Sequence, residues 1–266
     1  MAPRSLPESH RAFLDHAVEV LGTDPRIVGV AAGGSYRSDT MDAFSDLDLV
    51  VAVEPAEHGA VMAERRRIAA ALGTLLAAFT GEHVGEPRLL ICLYDRPLLH
   101  VDLKFVALPE VAARVEDPAV LWERDGRLTA ALRGARAAYP QPDPQWIEDR
   151  FWIWVHYAAA KIGRGELFEA LDVLAYLRVN VLGPLGLRRA GARPTGVRKI
   201  ETSAPDFASA LRRTVATYDV RECIRATRAA VELYRELRTA DVGVVRGEAA
   251  ERAAMQYLSD VEAQAR

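Results

Sequence analysis

Apolar and polar residues alternate through "LLHVDLKFVAL" at residues 98–108. Leu99, Val101, Leu103 and Phe105 fall on one face of a strand, and His100, Asp102 and Lys104 on the other. The same beat runs through "DLDLVVAV" at 46–53, where Leu47 and Leu49 oppose Asp46 and Asp48. "RIVGVAA" at 26–32 is almost wholly apolar and reads as a short buried strand. "RLLICLY" at 88–94, the turn "DRP" and the strand from 98 make a hairpin. Residues 119–128 read as a smaller hairpin or strand turning at Asp125-Gly126. A helical period covers 6–21, with Pro7 in its first turn, and residues 56–79, which are rich in helix formers.

The pattern then changes. "AYPQPDPQ" at 138–145 carries three prolines and little that could pack, so it marks a domain boundary. Beyond it the period is helical throughout. "WIEDRFWIWVHYAAAKIG" and "ELFEALDVLAYLRVNVLG" are joined tightly at Arg164-Gly165, and further helices are expected over 206–217, 221–240 and 248–265. The expected fold class is α+β. A mixed sheet with flanking helices occupies residues 1–140, and an all-helical bundle occupies 145–266.

Composition adds exclusions. The 266 residues are half hydrophobic and carry a net charge of -3, which argues against a basic nucleic-acid surface. The start of the chain has no signal-peptide core and no stretch reads as a membrane span, so the expected location is cytoplasmic, without a membrane partner. Cys92 and Cys223 stand alone in apolar settings and read as free buried thiols. Lysine occurs only at 104, 161 and 199 among 34 basic residues. A lysine kept in so arginine-rich a chain suggests a use for a compact, mobile ammonium.

The acidic residues on the strands supply the candidate chemistry. Asp46 and Asp48 on one strand face repel each other, and a divalent cation removes that conflict. Mg²⁺ takes oxygen ligands and is often held by carboxylates together with substrate phosphates. If the Asp102 strand lies alongside, three carboxylates converge, enough for two ions about 3.5–4 Å apart, and Lys104 faces the same place. Gly33 and Gly34 allow close backbone approach, and with Ser35 they can cradle phosphate oxygens.

Gly34-Ser35, ten intervening residues, Asp46-Leu47-Asp48 and a later strand acid at Asp102 together resemble the signature of the polymerase-β-like nucleotidyltransferase superfamily. Length and two-domain layout resemble the aminoglycoside nucleotidyltransferases and related small-molecule adenylyltransferases. The resemblance implies a mixed-sheet catalytic domain, Mg²⁺ held by Asp46, Asp48 and Asp102, and ATP or another NTP against Gly34 and Ser35. It implies transfer of a nucleoside monophosphate to a hydroxyl of a small molecule, with an aminoglycoside-like antibiotic as one candidate, and release of pyrophosphate. Asp102 or its metal activates the hydroxyl. Arg37 and Ser45 in the loop, Lys104, and Lys161 from the helical half are candidate triphosphate contacts. His100, Glu166, Glu169 and Asp172 are open as acceptor contacts. The three acids of the second helix equally suit its N-terminal dipole. Arg150 and His156 match the Arg-x₄₋₆-His spacing of helical ribonuclease toxins, a pattern short enough to arise by chance. Two alternatives stay open: an enzyme of toxin–antitoxin type that nucleotidylates a protein or tRNA, and a non-catalytic nucleotide-binding protein. Nucleobase preference and oligomeric state are not fixed by the sequence.

Overall fold

A computed structural model describes residues 3–265. The chain divides into two compact units, one ending at Tyr139 and one beginning at Pro140. The first contains, in order, α1 (Glu8–Thr23), β1 (Ile27–Ala32), α2 (Gly34–Arg37), β2 (Leu47–Val53), α3 (His58–Ala70), β3 (Thr74–Gly81), β4 (Glu86–Asp95), β5 (Leu99–Ala107), β6 (Ala119–Glu123) and α4 (Arg127–Arg133). Its six strands lie in the order β3-β4-β5-β2-β1-β6. β2 and β5 run parallel, and every other neighbouring pair is antiparallel.

The two faces of this sheet differ. Leu47, Leu49, Val51 and Val53 of β2 join Leu99, Val101, Leu103 and Phe105 of β5 in one core with Leu14 and Leu21 of α1 and Val61 and Ile68 of α3. Burying one such side chain contributes about 2 kcal/mol. The alternate positions of the same strands point the other way. At the C-terminal end of β2 and β5 that second face is apolar, where Ala52 and Val106 pack under Val111 and Leu128. At their N-terminal end it carries Asp48, His100 and Asp102 instead. The packing of one end therefore anchors the strands, while the other end stays polar.

One sequence expectation in this unit is corrected and two are sharpened. Residues 56–79 are not one helix: α3 stops at Ala70, Gly73 breaks it, and "TLLAAFTG" forms the edge strand β3, paired antiparallel to β4. Its Leu and Ala residues satisfy a helical count locally, but the long partner strand outweighs propensity. Of the two readings of residues 119–128, hairpin or strand, the strand is the one that forms. β6 pairs with β1, and Asp125 and Gly126, both at positive φ, turn the chain into α4. The Gly33-Gly34-Ser35 turn is the start of the one-turn helix α2.

The second unit is wholly helical: α5 (Pro144–Gly163), α6 (Leu167–Leu177), α7 (Gly183–Arg189), α8 (Ile200–Ser203), α9 (Pro205–Leu211), α10 (Val220–Leu237) and α11 (Glu248–Gln264). The proline-rich boundary ends in a helix start. The Asp143 carboxylate accepts from the amides of Gln145 and Trp146, and Pro144 takes the first helical position. The expected helix at 206–217 is shorter, ending at Leu211 and followed by a tight turn at Arg212–Thr214. Gly165, at a φ of +73°, turns α5 into α6. Phe151 and Trp152 sit in the core, where Phe151 stacks on Tyr234 with ring centroids 3.8 Å apart.

One further correction concerns length. The sequence reading ends its second helix at Gly183, but the helical run continues from Leu167 to Arg189 through a π-helical stretch at Arg178–Leu182. By length and composition this run could cross a membrane. Leu174, Leu177, Val181, Leu182, Leu185 and Leu187 are buried in the core of the helical unit, which accounts for its apolar character.

Candidate active site

The parallel register of β2 and β5 pairs Asp48 directly with Asp102. Both residues are half-buried and belong to the polar face, since Leu47, Leu49, Val101 and Leu103 on either side of them enter the core. Two carboxylates on adjacent strands are thus set side by side by the sheet itself. His100 lies two residues before Asp102 on the same face, and its Nε2–H donates to Asp102 Oδ1 at 2.9 Å. Asp46 sits one residue ahead of β2 and is half-buried.

The loop leading to Asp46 is braced from behind. His10 of α1 is buried, and its Nε2–H donates to the Ser45 carbonyl at 2.8 Å. Its Nδ1 then accepts from the Ser9 hydroxyl at 3.2 Å. The Ser45 hydroxyl donates to Asp42 Oδ1 at 3.1 Å and accepts from the Asp42 amide at 3.0 Å. In this structure, then, the Ser45 side chain closes its own loop. Arg37 ends α2 on the surface.

The glycines answer to neighbouring carboxylates. Gly34 has a φ of +56°, and a Cβ there would collide with Asp48 Oδ2. Only glycine lets the backbone come so close to that carboxylate. A Cβ on Gly33 would lie 2.8 Å from Glu116 Oε1. The same Glu116 oxygen accepts the Gly34 N–H at 2.7 Å. Ser35 Oγ is buried with no hydrogen-bond partner. The turn therefore offers a backbone N–H that already holds one anionic oxygen and a hydroxyl that has yet to find an acceptor.

The candidate lysines are engaged. Lys104 Nζ pairs with Glu86 at 2.7 Å, and Glu86 also takes Arg88 at 2.7 Å. The Arg88 hydrogen bond, opposed by burial and assisted by Lys104, holds the Glu86 carboxyl down at about 2. Lys161 Nζ, in the helical unit, pairs with Glu166 at 2.6 Å and Glu169 at 2.8 Å. Glu169 also accepts the Tyr157 hydroxyl. These bonds, Glu166 first, push the Lys161 ammonium upward, and Lys161 and Tyr157 hold the Glu169 carboxyl low. Asp172 lies exposed on α6. Arg150 lies over the Trp146 ring at 4.3 Å and His156 against Tyr257 at 4.5 Å, so the two sides of that sequence pattern have separate aromatic partners.

Among the described residues, no three His, Cys, Asp or Glu side chains are gathered to hold a metal ion. Closing like charges on one another without a cation is costly, and the register brings together only the pair. The donor chemistry nonetheless suits a hard divalent cation, because Asp48 and Asp102 present carboxylate oxygens side by side, with Asp46 one residue from the strand. Glu116 and His10 lie outside the motif that the sequence offers. Glu116 reaches Gly34 across 82 positions, and no local pattern marks it.

No protein-family model matches the chain, and no curated protein matches it. Among solved structures it is similar to an aminoglycoside 6-adenyltransferase from Bacillus subtilis, with a TM-score of 0.42 and 16% identity over 97% of this chain and 99% of that one. It is also similar to a nucleotidyltransferase-like protein from Exiguobacterium sibiricum 255-15, with a TM-score of 0.36 and 15% identity over 86% of this chain and 74% of that one.

Proposed function

We propose that the sheet unit transfers a nucleoside monophosphate from an NTP to a hydroxyl of a small acceptor. One observation carries the reading: Asp48 and Asp102 stand in register on parallel strands, and the Asp48 carboxylate lies against Gly34 of a glycine-serine turn with an unsatisfied hydroxyl.

In this reading the triphosphate lies along Gly34 and Ser35. A phosphate oxygen takes the Gly34 N–H now given to Glu116, and another accepts from Ser35 Oγ. Mg²⁺, when bound, would be held by Asp48 and Asp102 with Asp46, and would offset the charge of the triphosphate. The His100 bond to Oδ1 fixes the Asp102 carboxylate, which receives the proton of the acceptor hydroxyl. The hydroxyl oxygen bonds to the α-phosphorus, the bond from that phosphorus to the bridging oxygen breaks, and pyrophosphate leaves. Catalysis here is mostly positioning and charge stabilisation. Arg37, Ser45 and Lys104 are lesser members of the proposed triphosphate contact, because two of them would first give up bonds they make now. The acceptor class proposed is a hydroxylated amino sugar, and the setting is the cytoplasm.

The test is pyrophosphate release with each of the four NTPs, with and without Mg²⁺, across aminoglycosides, lincosamides and cell extract. Release that needs Mg²⁺, an NTP and a small acceptor supports the reading. Label moved only onto protein or tRNA in extract replaces the acceptor. Nucleotide binding with no release under any condition overturns transfer.

A further inference from the structure

The helical unit holds a cleft of about 660 Å³ that the proposed transfer does not use. Small-molecule sites usually span roughly 300–1,000 Å³. Five arginines line it: Arg228 and Arg235 on α10, Arg238 just beyond it, Arg246 on the connecting segment, and Arg252 on α11. Arg228 and Arg235 are seven residues apart, so they share a face of α10 about 10 Å apart along its axis.

The neighbouring acids fix these guanidinium groups without using all their donors. Glu148 is buried and accepts from Tyr234 Oη at 2.6 Å, Trp152 Nε1 at 3.0 Å and the Gly247 amide at 3.0 Å. It also takes Arg238 Nη1 at 3.1 Å, while Arg238 Nη2 goes to Glu251 at 2.6 Å. Glu251 holds Arg235 through Nε alone, at 2.8 Å. Glu262 and Ser259 hold Arg228 through Nε and Nη2. Arg252 has only an exposed contact to Glu248 at 3.7 Å. The terminal nitrogens of Arg235, Nη1 of Arg228 and all of Arg246 make no hydrogen bond among the described residues.

Ion pairing between two helices explains Arg228 with Glu262 and Arg235 with Glu251. It does not explain Arg246, which joins the same cleft with no carboxylate of its own. A guanidinium has donors and no acceptor, so a ligand that uses the spare donors must be rich in acceptors. Phosphoryl groups match the guanidinium fork. The spread along α10 is too long for one phosphate and suits a chain of them. We propose that this cleft binds a polyphosphate anion of about triphosphate length, free or carried on a nucleotide.

The experiment titrates tripolyphosphate, ATP and orthophosphate by calorimetry in EDTA, using the whole chain, R246Q and R235Q. Arg246 is exposed and holds nothing else, so R246Q melts like the parent. Saturable one-site binding of tripolyphosphate, weakened at least tenfold in both variants, supports the site. If ATP competes at the same site, the ligand is nucleotide-borne; if it does not, the ligand is free polyphosphate. The absence of saturable binding overturns the proposal. So does equal affinity in parent and variants, or orthophosphate binding as tightly as tripolyphosphate. None of these outcomes depends on the chemistry proposed for Asp48 and Asp102, which lie in the other unit.

Discussion

The polar end of β2 and β5 and the helical unit treat charge in opposite ways. At the polar end of β2 and β5, acids are set beside acids, and the partners of Asp102 and Glu116 include a histidine and a backbone amide. In the helical unit each acid of the network meets guanidinium or ammonium groups: Glu148 and Glu251 take Arg238, Glu262 takes Arg228, and Glu166 and Glu169 take Lys161. A self-repelling pair built into a sheet register lowers stability unless a cation completes it, whereas an acid that holds an arginine in place is structural. The same residue type should therefore answer to mutation in different ways in the two units.

The sharpest contrast comes from D48N and D102N. Either should lower turnover by on the order of 10³, the scale of losing a main electrostatic contact in a reacting site. The melting temperature should stay level or rise, because one of two facing charges is gone. Pyrophosphate-release kinetics and thermal melts on the same samples check this. Unchanged turnover in either variant would remove the carboxylates from the chemistry.

The helical unit should respond the other way to E148A. Three neutral donors and the Arg238 guanidinium lose their acceptor in a buried setting, so the unit should lose about 3 kcal/mol or more of stability, read by urea unfolding. A loss below about 1 kcal/mol would mean that water replaces the carboxylate readily and that the network is not structural.

A smaller effect tests the turn. In E116A the Gly34 N–H no longer has to be vacated. Giving back one charged hydrogen bond of about 1 kcal/mol should lower the KM for NTP about fivefold, with little change in kcat. A higher KM would make Glu116 a contributor to substrate binding rather than a competitor for it.

The strands that carry the candidate site were legible because β2 and β5 each have one apolar and one charged face, and that alternation fixes which side chains share a surface. Their neighbourhood was legible only as a condition, since nothing in "DLDLVV" or "LLHVDLKF" says that the two strands pair parallel or in which register. Other features were hidden for physical reasons. β3 has the composition of a helix and becomes a strand only because β4 offers a long partner. Glu116 acts from a loop through a contact distant in sequence. The arginines of the cleft come from two helices and their connection, so only the fold gathers them. The lysines were legible as scarce, but scarcity did not reveal that Lys104 and Lys161 are bonded to glutamates.

The smallest expected effect concerns Glu86, a strand acid of the sheet unit that is neutralised in the manner of the helical unit. Arg88 first, and then Lys104, hold its carboxyl at about 2, against 4.5 unperturbed. A depressed carboxyl binds its proton more readily in the unfolded chain. Its contribution is therefore complete above about pH 4.5 and is lost as pH falls from there toward 2. E86Q should be less stable than the parent at pH 7, and the gap should close steadily below pH 4.5 as the parent loses what the variant never had. Urea midpoints measured from pH 7 to pH 3 give the comparison. A gap that stays constant over that range would mean that the charge of Glu86 contributes nothing and only its shape matters. Lys104 would then be no more committed to Glu86 than to the triphosphate.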